Sequence, residues 1–393
     1  MRFVDEFRDP GLAARLIERI RQLATRRWTV MEVCGGQTHS LLRHGIDAEL
    51  ADVIELIHGP GCPVCVTPAE AIDEAIALSL VSGITLSSFG DMLRVPGSRG
   101  SLLSARAAGG DVRAVYSPLE AVDFAQAHPE RQVVFFAVGF ETTAPATALA
   151  VQQAKRLELP NFSLLTSHVR VLPAMESLAR QSDFRVSAFL AAGHVCAVLG
   201  FAEYEPFVDR FRLPVVVSGF EPTDLLEGLF EAVSQLERGA AQVANAYGRG
   251  VRREGNSAAK SVIDAVYESV DCPWRGLGII AGGGLRLREE WRGFDARARG
   301  MTNTRIASTS VDSDPVADGS RGADGSRDAD GSATPASLSD CPAGEVLIGR
   351  MKPSACPHFG GRCTPDSPLG APMVSAEGAC AAYFRYGHQR VSS

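Results

Sequence analysis

The sequence has no apolar stretch long enough to cross a bilayer. Its longest apolar runs, such as Val133–Val138, are far shorter than the about 20 residues that a membrane helix needs. The first ten residues, MRFVDEFRDP, carry acidic side chains and no long apolar stretch, so they do not resemble a secretory signal. We therefore expect a cytoplasmic protein without a membrane partner.

The sequence also lacks a block of lysine and arginine that could bind nucleic acid. Its formal net charge is −7, and much of the acidic excess lies in the Asp-, Gly- and Ser-rich segment 307–340. That segment is too polar to bury a core, so we predict a disordered insert without a function. The run Gly282–Gly284 lacks the lysine of a phosphate loop. These absences argue against nucleic acid as a partner and give no reason to predict a nucleotide site.

Cysteine, by contrast, is plentiful, with nine residues in a chain of 393. In a cytosolic protein this number argues against a disulfide framework and favours metal or redox chemistry. The distribution is uneven, because three cysteines lie early, four lie late and two stand alone. In that order they are Cys34, Cys62 and Cys65; Cys341, Cys356, Cys363 and Cys380; and Cys196 and Cys272.

Short apolar runs alternate with helical stretches between residues 28 and 218. Each run is rich in Val, Ile, Phe or Leu and is closed by Gly, Pro, Ser or His, which is typical of a buried parallel strand. Such units build either a closed eight-stranded barrel or two open four-stranded sheets. Eight runs have this pattern: Trp28–Val33, Val53–Ile57, Ile84–Ser88, Val112–Tyr116, Val133–Val138, Phe162–Thr166, Ala188–Ala192 and Val215–Ser218.

An internal similarity favours the two open sheets. The turn Gly139-Phe140-Glu141 follows the fifth run, and Gly219-Phe220-Glu221 follows the eighth. We therefore predict an α/β fold with two similar Rossmann-like domains, each with a four-stranded parallel sheet, at residues 20–128 and 129–236. The last fifty residues, which are dense in Cys, Pro and Gly, should fold around a metal centre.

Three early cysteines follow the first two predicted strands. Cys34 comes directly after the first strand, and the Cys62-Pro63-Val64-Cys65 motif comes after the second. Because ligands bind at the carboxyl ends of strands in open α/β folds, the three thiols should share one edge of the sheet. Thiolates suit iron, zinc or copper(I), and a C-x-x-C pair can also cycle between dithiol and disulfide. The alternative is that all three are small buried apolar residues.

Two further side chains are candidates for the same chemistry. His39 falls five residues after Cys34 and would reach the same edge if a helix begins at Thr38. Glu141 ends the fifth strand in the GFE turn, as Glu221 ends the eighth. Either glutamate could orient a ligand, or it could simply favour the start of the following helix through the helix dipole.

The four late cysteines have the spacing of a metal site. Cys341, Cys356, Cys363 and Cys380 fall within forty residues, as single ligands at irregular intervals. Zinc sites favour paired C-x2–4-C ligands, whereas cubane clusters accept four separate thiolates from loops. The spacing therefore favours a 4Fe-4S cluster over zinc and leaves zinc as the alternative.

Taken together, the motifs resemble the HypD family of hydrogenase maturation factors over residues 28–306 and 341–386. The resemblance implies two similar α/β domains and a third, Cys-rich iron–sulfur domain, at residues 1–19 and 237–393, that holds a 4Fe-4S cluster. It also implies a role in assembling the Fe(CN)2CO unit of nickel–iron hydrogenases. One departure is Gln37, where the family often has histidine. The motifs are MEVCGGQTH, HGPGCPVC, GFETTAP, GHVCAVLGF, VSGFEP, CPHFGGRCTPDSP and VSAEGACAAYFRY.

The resemblance also implies roles for the cysteines. Cys34 matches the residue that holds iron together with the N-terminal cysteine of a small HypC-type chaperone. Cys62 and Cys65 match a pair that exchanges electrons or binds iron, and the four late cysteines match the cluster ligands. The implied partners also include a HypE-type cyanide donor and its HypF-type carbamoyltransferase. Such a protein is an assembly scaffold with redox chemistry rather than a conventional enzyme.

Two other functions use the same motifs differently. A cluster-dependent disulfide reductase would use the Cys62/Cys65 dithiol and the cluster, but it would need neither Cys34 nor bound iron. A zinc-stabilised binding module would have no redox role. Metal analysis separates the zinc module from the other two.

Overall fold

The computed structural model describes residues 5–303 and 341–387. The insert predicted at residues 307–340 lies outside these ranges. The described strands are β1 Trp28–Glu32, β2 Ile54–His58, β3 Ile84–Ser88, β4 Val112–Ala114, β5 Gln132–Gly139, β6 Phe162–His168, β7 Ala188–Ala192, β8 Val215–Ser218, β9 Val243–Asn245, β10 Tyr267–Trp274 and β11 Gly278–Leu287.

Helices connect most of these strands. They are α1 Pro10–Leu23, α2 Gly35–Arg43, α3 Ile46–Glu49, α4 Pro63–Val66, α5 Ala69–Ser79, α6 Leu102–Ala107, α7 Pro118–Ala127, α8 Ala144–Arg156, α9 Val171–Ala179, α10 Gly193–Leu199, α11 Glu205–Phe211, α12 Pro222–Glu237, α13 Ser257–Val266, α14 Ala343–Leu347 and α15 Ala379–Tyr386. None of them, within the described ranges, is both long and apolar enough to span a membrane.

The strands form two parallel sheets and one hairpin. The larger sheet has five strands in the order β2-β1-β7-β8-β9, and the smaller has four in the order β4-β3-β5-β6. Strands β10 and β11 pair antiparallel as a separate hairpin. The predicted α/β class with parallel sheets is therefore confirmed, and each of the eight predicted strands is present.

The predicted grouping of the strands is wrong. Strand β1 pairs with β7, with Val30 opposite Ala188 and Met31 opposite Phe189. The first two strands thus join the last ones, and the sheets do not follow the predicted ranges 20–128 and 129–236. The reason is physical, because strands buried on both faces are apolar throughout and do not specify their partners. The short edge strand β9 makes the larger sheet five-stranded rather than four-stranded.

The first helix shows how local sequence fixes the fold. The Asp9 side chain accepts a hydrogen bond from the Leu12 backbone N–H at 2.8 Å, and Pro10 occupies the first helical position. Both features stabilise a helix start. Leu16 and Ile20 are buried on the face that packs against α12. The helix therefore covers one face of the larger sheet.

The C-terminal segment, residues 341–387, has little regular structure beyond α14 and α15. Helix α15 packs against α2, and a 3-10 turn at Ala371–Met373 packs against α4. Helices α2 and α4 are the ones that follow the two early cysteine loops. The segment with the four late cysteines therefore lies directly against the loops with the three early ones.

Candidate functional site

Cys34 and the Cys62/Cys65 pair meet at the carboxyl edge of the larger sheet. Cys34 is the N-cap of α2, and Cys62 is the N-cap of α4, with Pro63 at its first position. Cys62 and Cys65 form a disulfide, and their Cα atoms are 5.2 Å apart. The two loops touch at Gly61, because a Cβ atom there would lie only 2.1 Å from the Cys34 nitrogen. The structure thus brings the three predicted thiols together.

A buried glutamate forms hydrogen bonds with the loop that contains Cys34. Glu32, in β1, accepts a hydrogen bond from the Cys34 backbone N–H at 2.7 Å and another from the Thr38 hydroxyl. Its carboxylate also bonds His58 Nδ1 at 2.8 Å, and both side chains are almost fully buried. Sequence reasoning missed Glu32, since an acidic residue inside an apolar strand gives no signal for its bonding partners. Its carboxylate fixes the loop that presents Cys34.

A histidine that follows the neighbouring strand, β7, faces the Cys34 thiol. His194 Nδ1 lies 3.8 Å from Cys34 Sγ, at the start of the helix that follows β7. Sequence reasoning missed this contact, because it depends on the pairing of β1 with β7. The motif Gly193-His194-Val195-Cys196 was a possible signal, but only its cysteine was considered. A thiol and an imidazole at this separation are a suitable pair of ligands for one iron or zinc ion.

Burial controls the protonation of this pair. Cys34 is 1% exposed, and burial, together with the nearby Glu32 charge, raises the pKa of its thiol well above the usual range. Burial also lowers the pKa of His194, so its imidazole is neutral. A neutral imidazole can bind a metal directly, whereas the thiol must first lose its proton. A cation between the two would provide the positive charge that the thiolate needs.

His39 lies at the same edge but does not face the sulfur atoms. Its Nδ1 is 3.4 Å from the Ala376 carbonyl oxygen, and its Nε2 is 3.1 Å from the Tyr386 hydroxyl. Both partners belong to the C-terminal segment. The residue therefore joins α2 to that segment, and its predicted catalytic role stays a prediction.

Glu141 lies at the carboxyl edge of the smaller sheet. It is 3% exposed, and its Oε1 accepts a hydrogen bond from the Val171 N–H at 3.0 Å. Burial, with a contribution from the Glu203 charge, raises the pKa of Glu141 from 4.5 to about 7. The corresponding Glu221 has the opposite environment, since it pairs with Arg8 near the surface and its pKa is lowered. The catalytic role predicted for Glu141 stays a prediction.

The four late cysteines line one small cavity, together with Ala343 and Pro372. Burial raises the pKa of Cys380, and the charges of the other three cysteines raise it further, so these three sulfurs are close enough to affect Cys380. A Cβ atom at Gly370 would lie 2.2 Å from the Cys341 sulfur. The backbone at Gly370 therefore lies so close to the Cys341 sulfur that only a glycine fits there. Four thiols gathered in an apolar cavity fit a bound metal group, which would supply their missing positive charge.

The late cysteines do not converge on a single point. Within residues 5–303 and 341–387, no three His, Cys, Asp or Glu side chains form a group that could hold one metal ion. A cubane cluster does not require such convergence, because it accepts four thiolates from separate loops. The surroundings of the cavity are therefore compatible with a cluster.

An arginine connects the disulfide loop with the cysteine cavity. The Arg275 backbone N–H donates to the Val66 carbonyl at 2.8 Å, directly after Cys65, and its guanidinium donates to the Pro96 carbonyl at 2.8 Å. Its buried guanidinium is also close enough to Cys341 to interact with its charge. Sequence reasoning missed Arg275, since nothing marks it within the polar hairpin.

The fold and the site define an α/β protein in which the buried Cys34 thiol and the Cys62–Cys65 disulfide lie next to a cavity lined by four more cysteines. Comparisons with known proteins show its family. A family model named HypD and described as the hydrogenase formation hypA family matches residues 11–387. The chain is 43% identical to the hydrogenase maturation factor HypD of Rhodobacter capsulatus over the full length of both chains. It is 42% identical to that of Escherichia coli K12 over 99% of each, and 43% identical to that of Azotobacter vinelandii over 99% of this chain and 98% of the relative. The chain therefore belongs to the HypD family of hydrogenase maturation factors.

Proposed function

We propose that this protein holds iron while the Fe(CN)2CO unit of a nickel–iron hydrogenase is assembled on it in the cytoplasm. The observation that carries the proposal is the arrangement at one sheet edge, where the Cys34 thiol faces His194 and touches the Cys62–Cys65 loop. Family membership supports the same function. Iron is the cargo here, rather than a permanent cofactor.

Cys34 and His194 would hold the iron. Low-spin iron with cyanide and carbon monoxide ligands is electron-rich, and a soft thiolate suits it. The Cys34 side chain is almost inaccessible, so water is largely excluded from the bound ion. We propose that the N-terminal cysteine of a small HypC-type chaperone provides a further thiolate from outside.

Cys62 and Cys65 would supply the electrons that release cyanide. A HypF-type carbamoyltransferase would deliver a carbamoyl group to the cysteine of a HypE-type donor, and loss of one water would convert that group to a thiocyanate. The thiocyanate then accepts two electrons and two protons to give a thiol and hydrogen cyanide. Two thiols supply both electrons and both protons when they close to a disulfide. The cyanide then binds iron and leaves its proton to solvent. The Cys62–Cys65 disulfide of the structure corresponds to the oxidised state of this pair.

Cys341, Cys356, Cys363 and Cys380 would hold a 4Fe-4S cluster. When bound, the cluster supplies single electrons that can return the disulfide to the dithiol. The turn Ala371–Met373 lines the cysteine cavity and also packs against α4, which contains Cys65. This contact supports a short path between the two sites. Arg275 lies along the same path, through its bond to Val66 and its proximity to Cys341.

Infrared spectroscopy of the protein purified anaerobically with its partners tests the proposal. We expect cyanide and carbon monoxide stretching bands that Cys34→Ala abolishes, while the C-terminal cluster is retained. Cys62→Ala should still load iron but fail to accumulate the cyanide bands. Retention of all bands in Cys34→Ala would refute the role of the thiol as iron anchor. A protein that reduces disulfides without ever carrying these bands would instead be a cluster-dependent disulfide reductase.

A further inference from the structure

An aromatic ring covers the outer face of the His194 imidazole. Phe220 follows β8, and its ring lies parallel to the imidazole, with the ring centres 5.3 Å apart and an angle of 10° between the planes. The same ring packs over Gly36, where a Cβ atom would lie 3.2 Å from the Phe220 ring and 3.7 Å from Cys34 Sγ. Phe220 therefore contacts both walls of the space in which Cys34 meets His194.

The loop that carries this ring is fixed to α2. The Ser40 hydroxyl donates a hydrogen bond to the Phe220 carbonyl oxygen at 2.5 Å. The Gln37 side-chain amide donates to the carbonyls of Ser218 at 3.0 Å and Ala191 at 3.2 Å, near the ends of β8 and β7. Gln37 thus joins α2 to the ends of these two strands, and the loop has a defined position relative to Cys34.

The orientation of the His194 ring depends on its packing. Within the described part of the chain, the hydrogen-bonding contact of its ring is the one with Cys34 Sγ. The terminal torsion of a histidine side chain is broad, so packing must select the ring orientation. The parallel contact with Phe220 can do so.

We propose that Phe220 is a positioning residue, whose ring holds the His194 imidazole with Nδ1 towards the Cys34 sulfur and so prepares the two ligands for one metal ion. This inference rests on the proposed function, in which Cys34 and His194 hold iron. It extends that function, because it states that a residue that binds no metal determines the geometry of the two ligands. Loss of the ring should leave both ligands in place but one of them disordered.

Cobalt(II) tests the inference as a spectroscopic substitute for iron(II). It is titrated anaerobically, without reductant, into the full-length, cluster-loaded protein, so that Cys62 and Cys65 remain a disulfide. Difference spectra report the thiolate-to-cobalt charge-transfer band and the ligand-field bands. Cys34→Ala should abolish the charge-transfer band, and His194→Ala should weaken binding and change the ligand-field bands. These two variants test the proposed metal site by itself.

We expect Phe220→Leu to weaken cobalt binding about tenfold, as loss of an aromatic contact predicts, and to reproduce the ligand-field change of His194→Ala. Phe220→Tyr keeps the ring and should therefore keep both the cobalt affinity and the ligand-field bands of the wild type. Phe184→Leu is the matched control, because Phe184 stacks on Phe189 at 6.0 Å and 21°, within the core. This control should lower thermal stability without changing cobalt affinity.

The double variant His194→Ala/Phe220→Leu decides between positioning and simple packing. If Phe220 acts through His194, the double variant binds cobalt no more weakly than His194→Ala alone. Additive losses, or an unchanged affinity in Phe220→Leu, would overturn the inference and leave the metal site intact. A charge-transfer band that persists in Cys34→Ala would overturn the proposed iron anchor itself, and an unchanged His194→Ala would overturn the imidazole as the ligand that Phe220 positions.

Discussion

Glu141 should make the protein less stable as the pH rises through neutrality. Its carboxyl is buried, and its pKa is raised from 4.5 to about 7 in the folded state. Between these values the folded protein binds a proton that the unfolded chain does not. Stability from this group is therefore complete below about pH 4.5 and is lost as the pH rises through about 7.

The magnitude follows from the same two values. A pKa difference between 4.5 and about 7 corresponds to about 3 kcal/mol between the protonated and ionised forms. Glu141→Gln keeps an oxygen that can accept the Val171 N–H but cannot ionise. At about pH 8.5 we therefore expect the variant to be up to about 3 kcal/mol more stable than wild type, and at about pH 5 the difference should fall to about 1 kcal/mol.

The assay is guanidinium-induced unfolding at these two pH values, followed by tryptophan fluorescence and circular dichroism. Glu221→Gln is the matched control, since Glu221 lies in the parallel GFE turn but pairs with Arg8. Its pKa is lowered, so its contribution is present above the ordinary value and is lost as the pH falls. A stability difference between Glu141→Gln and wild type that is the same at both pH values would refute the reasoning, because it would mean that the carboxyl has the same pKa in the folded and unfolded states.

Three further predictions concern the cysteine loops. Wild-type protein purified anaerobically should be brown and hold about four irons and four sulfides, and Cys356→Ala should lose both the colour and the iron, as measured by absorption and metal analysis. A colourless wild-type protein with one zinc would contradict the cluster. Gly370→Ala should lower cluster content, since the new methyl would lie 2.2 Å from a cysteine sulfur. Gly361→Ala is the control in the same segment, because its methyl would lie 4.0 Å from the His358 carbonyl oxygen, an ordinary contact. Gly61→Ala should lower both the melting temperature and iron loading, because its Cβ would strike the Cys34 backbone at 2.1 Å; full loading would show that the two loops do not need this contact.

The sequence was informative where chemistry follows directly from position along a strand. The apolar runs predicted eight of the nine parallel strands that the described residues form, because a buried strand must be apolar. Cys34 and Cys62 come directly after their strands, so the carboxyl edge of a sheet is where they must lie. Both inferences need only local sequence.

The order of the strands needed more than local sequence. The GFE turns at Glu141 and Glu221 have the same local sequence, yet one carboxyl is buried with a raised pKa and the other pairs with Arg8 near the surface. A similarity of turns therefore did not mean a similarity of surroundings, and it favoured two consecutive halves that the sheets do not form. What distinguishes these glutamates is which distant elements pack over them.

The pairing of β1 with β7 shows why the site could be predicted only in part. It places His194, 160 residues away in sequence, beside Cys34, and the adjacent β8 brings Phe220 over the imidazole. A cysteine motif is contiguous and can be found by its spacing, whereas its imidazole partner is defined only by strand order. The thiols of such a site are therefore visible in the sequence, while the groups that orient them and shift their pKa become visible only in the fold.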